Sequence, residues 1–200
     1  MRRLTILEYI SLDGVVQAPG GPDEDRDGGF AHGGWSAPFD DPVLDDTISA
    51  VHGAPFDLVL GRRTYDIWSA HWPNAAGPLA EGMNAATKFV TTHRPGSLAW
   101  GPAQGLGPDI EASVRQLKAG PGPDLLLWGS SAVTAALLEH SLADEIVLIV
   151  IPVLLGSGKR FFAEGTTPRS LNLIRTRTGS TGVTVNTYQP AGPLRTGSFV

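Results

Sequence analysis

The stretch Leu58-Val59-Leu60-Gly61-Arg62-Arg63-Thr64-Tyr65 decides the reading of this 200-residue chain. The apolar run from Asp57 to Leu60 makes a short buried strand, and Gly61 ends it. A helix is expected over Thr64 to Ser69. At such a strand–turn–helix junction the glycine admits a close backbone approach, and the first helical turn offers free N–H groups. Arg62, Arg63 and Thr64 add donors, which together is what a bound anion requires. Taken alone, Arg62 and Arg63 read equally well as the solvated start of a helix.

Two more junctions repeat the pattern. Phe89-Val90-Thr91-Thr92-His93-Arg94 clusters hydroxyls and cations just past a strand spanning Lys88 to Thr92. Leu127-Trp128-Gly129-Ser130-Ser131 closes a strand from Asp124 to Trp128 and opens a helix running from Ser130 to Leu142. Singly, the first is readable as a plain turn and the second as an ordinary serine N-cap. In an open α/β sheet, however, ligands bind beyond the carboxyl ends of the strands, and all three junctions lie there. Three in order point to a phosphate-rich ligand.

Outward from these junctions, Leu4 to Leu12 reads as a first strand. Asp13 to Gly34 is loop by composition, with an acidic cluster at Asp23, Glu24, Asp25 and Asp27. Pro42 to Val51 has helical spacing, with Asp41 as N-cap and Pro42 in the first turn. Pro73 to Pro78 and Pro95 to Pro108 read as loops, and Asp109 to Ala119 as a helix. Asp144 to Leu155 is the strongest strand signal, and Ser170 to Thr178 with Gly182 to Tyr188 forms a terminal hairpin. Strands alternating with helices, then a β-rich end, predict a mainly parallel α/β sheet with an antiparallel edge. A single domain is expected over residues 1–190, with 191–200 as a flexible tail.

Composition narrows the function. Gly 25 and Pro 16 make about a fifth of the chain, which places that excess in loops. A net charge of −5 argues against a non-specific nucleic-acid or anionic-membrane binder. Cysteine is absent, so disulfides, thiolate nucleophiles and cysteine-ligated metals are excluded. The longest apolar run, Ile146 to Leu155, is too short to span a bilayer. No secretory signal is read, and cytoplasmic residence is the default expectation. Asp23-x-Asp25-x-Asp27-Gly28 opens like a calcium loop, but Gly34 stands where a bidentate glutamate is needed. Gly156-Ser157-Gly158-Lys159 resembles the end of a P-loop, yet Val153 and Arg160 break it. The five histidines show no metal-ligand spacing, no metal is expected, and no GxGxxG follows a strand.

The succession Ile10-Ser11-Leu12-Asp13-Gly14, Leu60-Gly61-Arg62-Arg63-Thr64-Tyr65, Val90-Thr91-Thr92, Gly129-Ser130-Ser131 and Pro152-Val153-Leu154-Leu155-Gly156-Ser157-Gly158 resembles the dihydrofolate-reductase-like superfamily. Within it the chain is most similar to stand-alone relatives of the reductase domain of the riboflavin-biosynthesis deaminase–reductase. The resemblance implies a three-layer α/β fold with a mostly parallel sheet of eight or nine strands and a C-terminal antiparallel hairpin. It also implies NADPH as cofactor and a homodimer. By that resemblance Gly61, Arg62, Arg63 and Thr64 hold the pyrophosphate, and Thr91, Thr92, His93 and Arg94 the adenosine 2′-phosphate. Gly129, Ser130, Ser131, Ala132 and Val133 close over the diphosphate, while Ile10 and Val16 flank the nicotinamide. A run of glycines is usual at the third junction, where Ser130 and Ser131 stand here.

Trp35, Phe39 and Trp68 are candidates to stack on a planar substrate, with core packing as the alternative. Asp40, in Trp35-x-x-Pro38-x-Asp40, matches the spacing of the substrate-binding acid of dihydrofolate reductases. An acid buried against aromatics has a raised pKa and protonates a ring nitrogen; alternatively Asp40 and Asp41 only cap the next helix. Asp13 is a second catalytic candidate or a loop-ordering residue. The expected activity is hydride transfer from NADPH to a small heterocyclic or ribosylaminopyrimidine-type substrate. The alternative is a nucleotide-binding module that keeps the cleft without turnover.

Overall fold

A computed structural model of the chain describes residues 1–162 and 164–199. Leu4–Ser11 (β1) lies parallel between Asp124–Trp128 (β5) and Glu145–Ile151 (β6), with Leu4 beside Leu125 and Ile6 beside Ile146. Phe56–Gly61 (β2) flanks β5, and Lys88–Thr91 (β3) and Ala103–Leu106 (β4) continue the parallel ladder outward. Arg169–Thr178 (β7) and Thr184–Pro193 (β8) form the antiparallel hairpin, with β8 against β6. The order β4-β3-β2-β5-β1-β6-β8-β7 gives one sheet of 8 strands, the smaller of the two expected sizes. The carboxyl ends of β1, β2, β3 and β5 share one edge.

Successive strand residues point to opposite faces, and this period sorts the core into two. Leu7, Leu58 and Leu60 pack through Val43, Leu44, Tyr65 and Met83 on Pro42–His52 (α1), Arg62–His71 (α2) and Pro78–Ala85 (α3). Leu4, Ile6, Ile10 and Val59 pack through Val114, Val133 and Leu137 on Ile110–Ala119 (α4) and Ser131–Glu139 (α5). Three layers result. Tyr65 ties α2 to the loop before β4: its hydroxyl accepts the Trp100 N–H (2.6 Å) and donates to the Trp100 carbonyl (3.2 Å).

Several boundaries move. α2 begins at Arg62, two residues before the expected Thr64, because Gly61 serves as its N-cap. β6 stops at Ile151 rather than Leu155, since Pro152 has no N–H for the ladder. α5 ends at Glu139, where Ser141 turns the chain with φ +53°. Two elements were not expected, one in the unassigned stretch after the Pro73–Pro78 loop and one where only loop was read. α3 grows from Pro78, and β4 forms inside the Pro95–Pro108 zone. β8 pairs through Pro193, opposite Arg169, the third residue of the expected tail; Val200 lies outside the described residues.

Candidate active site

The junctions after β2 and β5 meet because those strands are neighbours. The Gly61 N–H donates to the Ser130 hydroxyl (2.8 Å), which donates to Thr64 Oγ1 (2.7 Å). A Cβ on Gly61 would sit 3.2 Å from the Ser130 Cβ, so only glycine allows this approach. Gly129 has φ +78° and Ser130 φ +68°. A left-handed conformation costs a non-glycine residue roughly 1–2 kcal/mol, and the Ser130 hydroxyl bridge offsets it. Among the described residues, no side chain caps the N-terminus of α2 or α5. By contrast Asp41 accepts the Val43 N–H at the start of α1 (3.0 Å), and Asp109 the Ala112 N–H at α4 (2.9 Å). α3 opens on Gly77-Pro78. Two uncapped helix N-termini therefore converge on one cleft of about 310 Å³, which suits a diphosphate.

That cleft is lined by Gly61, Arg62, Arg63, Thr64, Thr91, Gly129, Ser130, Ser131, Ala132, Val133 and Val16, so eleven of the fifteen expected cofactor residues come together. Thr92, His93 and Arg94 line the adjoining groove of about 770 Å³. The Arg94 guanidinium and the His93 ring are exposed and make no ion pair with the described residues. Arg62 instead holds the groove in place, bonding Asp66 (2.8 Å), Ser97 Oγ (2.7 Å) and the Arg94 carbonyl (3.2 Å). Ile10 is different: it is buried in the core beneath the cleft and lines none of these cavities.

A second cavity, about 530 Å³, adjoins the cleft and shares Pro19, Glu24, Ile67, Trp68 and Trp128 with it. Tyr9, Trp68, Trp72 and Trp128 wall it, with Pro19 to Glu24 along the rim. Trp128 stacks on Tyr9 (6.3 Å between ring centroids) and meets Trp68 edge-on (5.7 Å). Burial, then the nearby Asp45 and Asp40 carboxylates, push the Tyr9 hydroxyl up to about 12, so it stays protonated at neutral pH. Of the expected stacking residues only Trp68 lines this cavity. Trp35 is buried with its Nε1 donating to the Gln17 carbonyl (2.7 Å), and Phe39 packs partly buried on the core.

The two expected catalytic acids, Asp40 and Asp13, line none of these cavities. Asp40 is exposed and lines neither cavity, because the chain turns outward there to enter α1. Asp13 is a staple. It accepts the Ser11 hydroxyl (2.6 Å) and the N–H groups of Leu155 (3.1 Å) and Gly156 (2.8 Å), with the Ser11 bond foremost in pulling its pKa down to about 2. The Leu12–Val16 and Val153–Phe161 segments are joined by backbone bonds of 2.9 Å. Gly158 seats against Val15 and Phe30, where a Cβ would clash at 2.7 Å. The P-loop-like string is thus part of this staple.

The cations at the cleft mouth are already engaged. Arg63 pairs with Asp25 (3.1 Å) and Asp27 (2.7 Å), and Lys159 with the same two carboxylates (2.7 and 3.0 Å). The Lys159 ammonium, then Arg63, hold Asp27 below the usual carboxylate range. Arg160 bonds the Asp13 carbonyl. Glu8, Tyr9, Trp72 and Trp128 are among the lining residues that sequence reasoning missed. Glu8 carried a signal: it sits in the Leu4, Ile6, Ile10 row of a buried strand, where an apolar residue is due.

Among the described residues no group of three or more potential metal ligands occurs, and no helix is long and apolar enough to cross a membrane. The family model described as "RibD C-terminal domain" matches residues 2–185. The uncharacterized protein YyaP of Bacillus subtilis (strain 168) is 24% identical over 192 residues, covering 94% of each chain. The diaminohydroxyphosphoribosylaminopyrimidine deaminase/5-amino-6-(5-phosphoribosylamino)uracil reductase of Thermotoga maritima superposes with a TM-score of 0.64 at 13% identity, over 95% of this chain and 57% of that one. Dihydrofolate reductase from Enterococcus faecalis, complexed with NADP(H), gives 0.60 at 16% identity, over 94% and 96%.

Proposed function

The chain belongs to the RibD C-terminal domain family, which is reductase-like and has the dihydrofolate-reductase-like fold, and from that premise we propose that it is an NADPH-dependent reductase of a small heterocyclic or C=N substrate. One observation carries the reading: two uncapped helix N-termini converge at Gly61 and Gly129, with Arg94, whose guanidinium makes no ion pair among the described residues, lining the adjoining groove. The diphosphate fits the first place and the adenosine 2′-phosphate the second. A bound nicotinamide supplies the hydride. Tyr9, Trp68 and Trp128 exclude water from the reacting face, and the Tyr9 hydroxyl offers the proton.

Engagement of Arg63 and Lys159 by Asp25 and Asp27 leaves little cationic capacity for a substrate phosphate. This favours an uncharged heterocycle over a phosphoribosyl compound. A homodimer is part of the same proposal.

Titration by nicotinamide fluorescence tests the cofactor reading. NADPH raises the melting temperature of the wild type, and Arg94→Ala weakens NADPH at least about tenfold, the scale of one charge-assisted contact, while leaving NADH nearly unchanged. Absence of any NADPH effect on melting, or equal affinity of wild type and Arg94→Ala, overturns it. Binding without oxidation across dihydropterins, aminopyrimidines and imines identifies a nucleotide-binding module instead.

A further inference from the structure

The buried charges at the amino edge of the sheet all have partners. Arg2 pairs with Asp57 and also donates to the Pro123 carbonyl. Lys118 bonds Asp144 (2.6 Å) and the Leu142 carbonyl (2.7 Å). Lys88 donates to the carbonyls of Asn84 (2.7 Å) and Gly101 (3.3 Å) and lies 4.2 Å over the Trp100 ring. Glu8 breaks this rule. It is 2% exposed, its Oε2 finds no hydrogen-bond partner among the described residues, and it lines the cleft between β1 and β5 together with Val16, Trp128 and Gly129. The backbone N–H groups of Tyr9 and Gly129 act on this carboxyl, but the oxygen left over costs free energy unless a ligand completes it.

What the ligand must offer follows from the protonation state. Burial, with the nearby Glu24 adding repulsion, pushes the Glu8 carboxyl well above the usual range, so the neutral acid is favoured. The charged groups sharing the cleft are Glu24 and Asp25 on the loop, Arg62 and Arg63 on α2, and Lys159. Arg63 and Lys159 are taken by Asp25, and Arg62 by Asp66. A neutral carboxylic acid presents one donor and one acceptor side by side. Its complement is a primary carboxamide, which presents the same pair in reverse.

We propose that Glu8 is a cofactor-binding residue whose protonated carboxyl pairs through two hydrogen bonds with the carboxamide of the nicotinamide ring. This rests on the NADPH reading above. Such a pairing would orient the ring from the Glu8 side of the cleft.

Binding measurements test it without turnover. NADPH affinity of the wild type, followed by fluorescence as the pH is raised, falls as Glu8 ionises, because a buried carboxylate loses its donor. Glu8→Gln, which keeps a donor and an acceptor, binds NADPH with no such fall, and Glu8→Leu binds at least about tenfold more weakly. The 3-acetylpyridine analogue of NADPH keeps the carbonyl but lacks the amide N–H. It binds the wild type more weakly than NADPH, and Glu8→Leu abolishes that difference. Equal NADPH affinity in wild type and Glu8→Leu overturns the proposal, as does an undiminished preference for NADPH over the analogue in Glu8→Leu. Failure of the wild type to bind NADPH at any pH overturns the cofactor reading itself. Melting curves of Glu8→Leu and Glu8→Gln without ligand establish that both fold.

Discussion

Glu8 and Tyr9 are neighbours on β1, yet the pleat sends one to the cofactor side and the other to the aromatic cavity. A single peptide unit thus separates the acid proposed to bind the carboxamide from the proposed proton source. If Tyr9 supplies the proton, Tyr9→Phe lowers kcat on the order of 10²-fold, the low end of general acid catalysis, with NADPH affinity unchanged. Loss of affinity in step with kcat would assign Tyr9 to packing on Trp128. The two residues also mark where the sequence stopped being legible. Glycines and cations after strands were legible as a candidate phosphate site, and the strand order brings the β2 and β5 junctions together. The substrate wall came from residues whose types are ordinary in cores: Trp128 reads as a strand terminus, and Trp35 meets every sequence criterion for stacking but spends its Nε1 on Gln17. Asp40 kept the right spacing while the chain around it turned outward.

At the scale of elements, helix starts divide into those closed by aspartate and those left open. Asp41 closes α1 and also binds the β7–β8 turn, accepting the Ser180 hydroxyl (2.8 Å) and the Thr181 N–H (3.1 Å). The Val43 N–H foremost, then Ser180, pull its pKa down to about 2. A carboxylate whose folded pKa lies below its unfolded value stabilises the fold above the unfolded value, and that contribution disappears as the pH falls through the folded one. Thermal melts of the wild type therefore decline between about pH 4 and 2. Asp41→Asn, which keeps the helix cap but cannot titrate, melts a few degrees lower at neutral pH and declines less steeply with acid. An identical acid slope would remove Asp41 from the account. Asp41 was readable as a cap because Asp-Pro before a periodic run is a local signal. α3 and β4 were not readable, since Pro78 to Ala85 is a short segment behind a Gly-Pro pair, and Ala103-Gln104-Gly105-Leu106 has no β-branched residue. β4 exists because β3 offers it an edge, which is a tertiary cause.

The whole molecule presents one open sheet edge of note, β7, which pairs only with β8 among the described strands. Leu173 and Ile174 on it are 54% and 53% exposed, and a free edge with apolar side chains is a template for a second copy. If the homodimer uses it, sedimentation gives a dimer for the wild type and a monomer for Ile174→Lys, with the melting temperature of the variant within a few degrees. A dimer that survives the substitution places the contact elsewhere. The division of labour between the sheet and its loops has a separate consequence. The cofactor cleft is made from strand-to-helix junctions that the core cannot lose without unfolding. The Pro19–Glu24 rim of the aromatic cavity belongs to a loop outside all eight strands. On the proposed reading, diphosphate binding is therefore tied to foldability, whereas the groups that would set nucleotide and substrate preference, Arg94 and the Pro19–Glu24 rim, are free to drift by loop replacement.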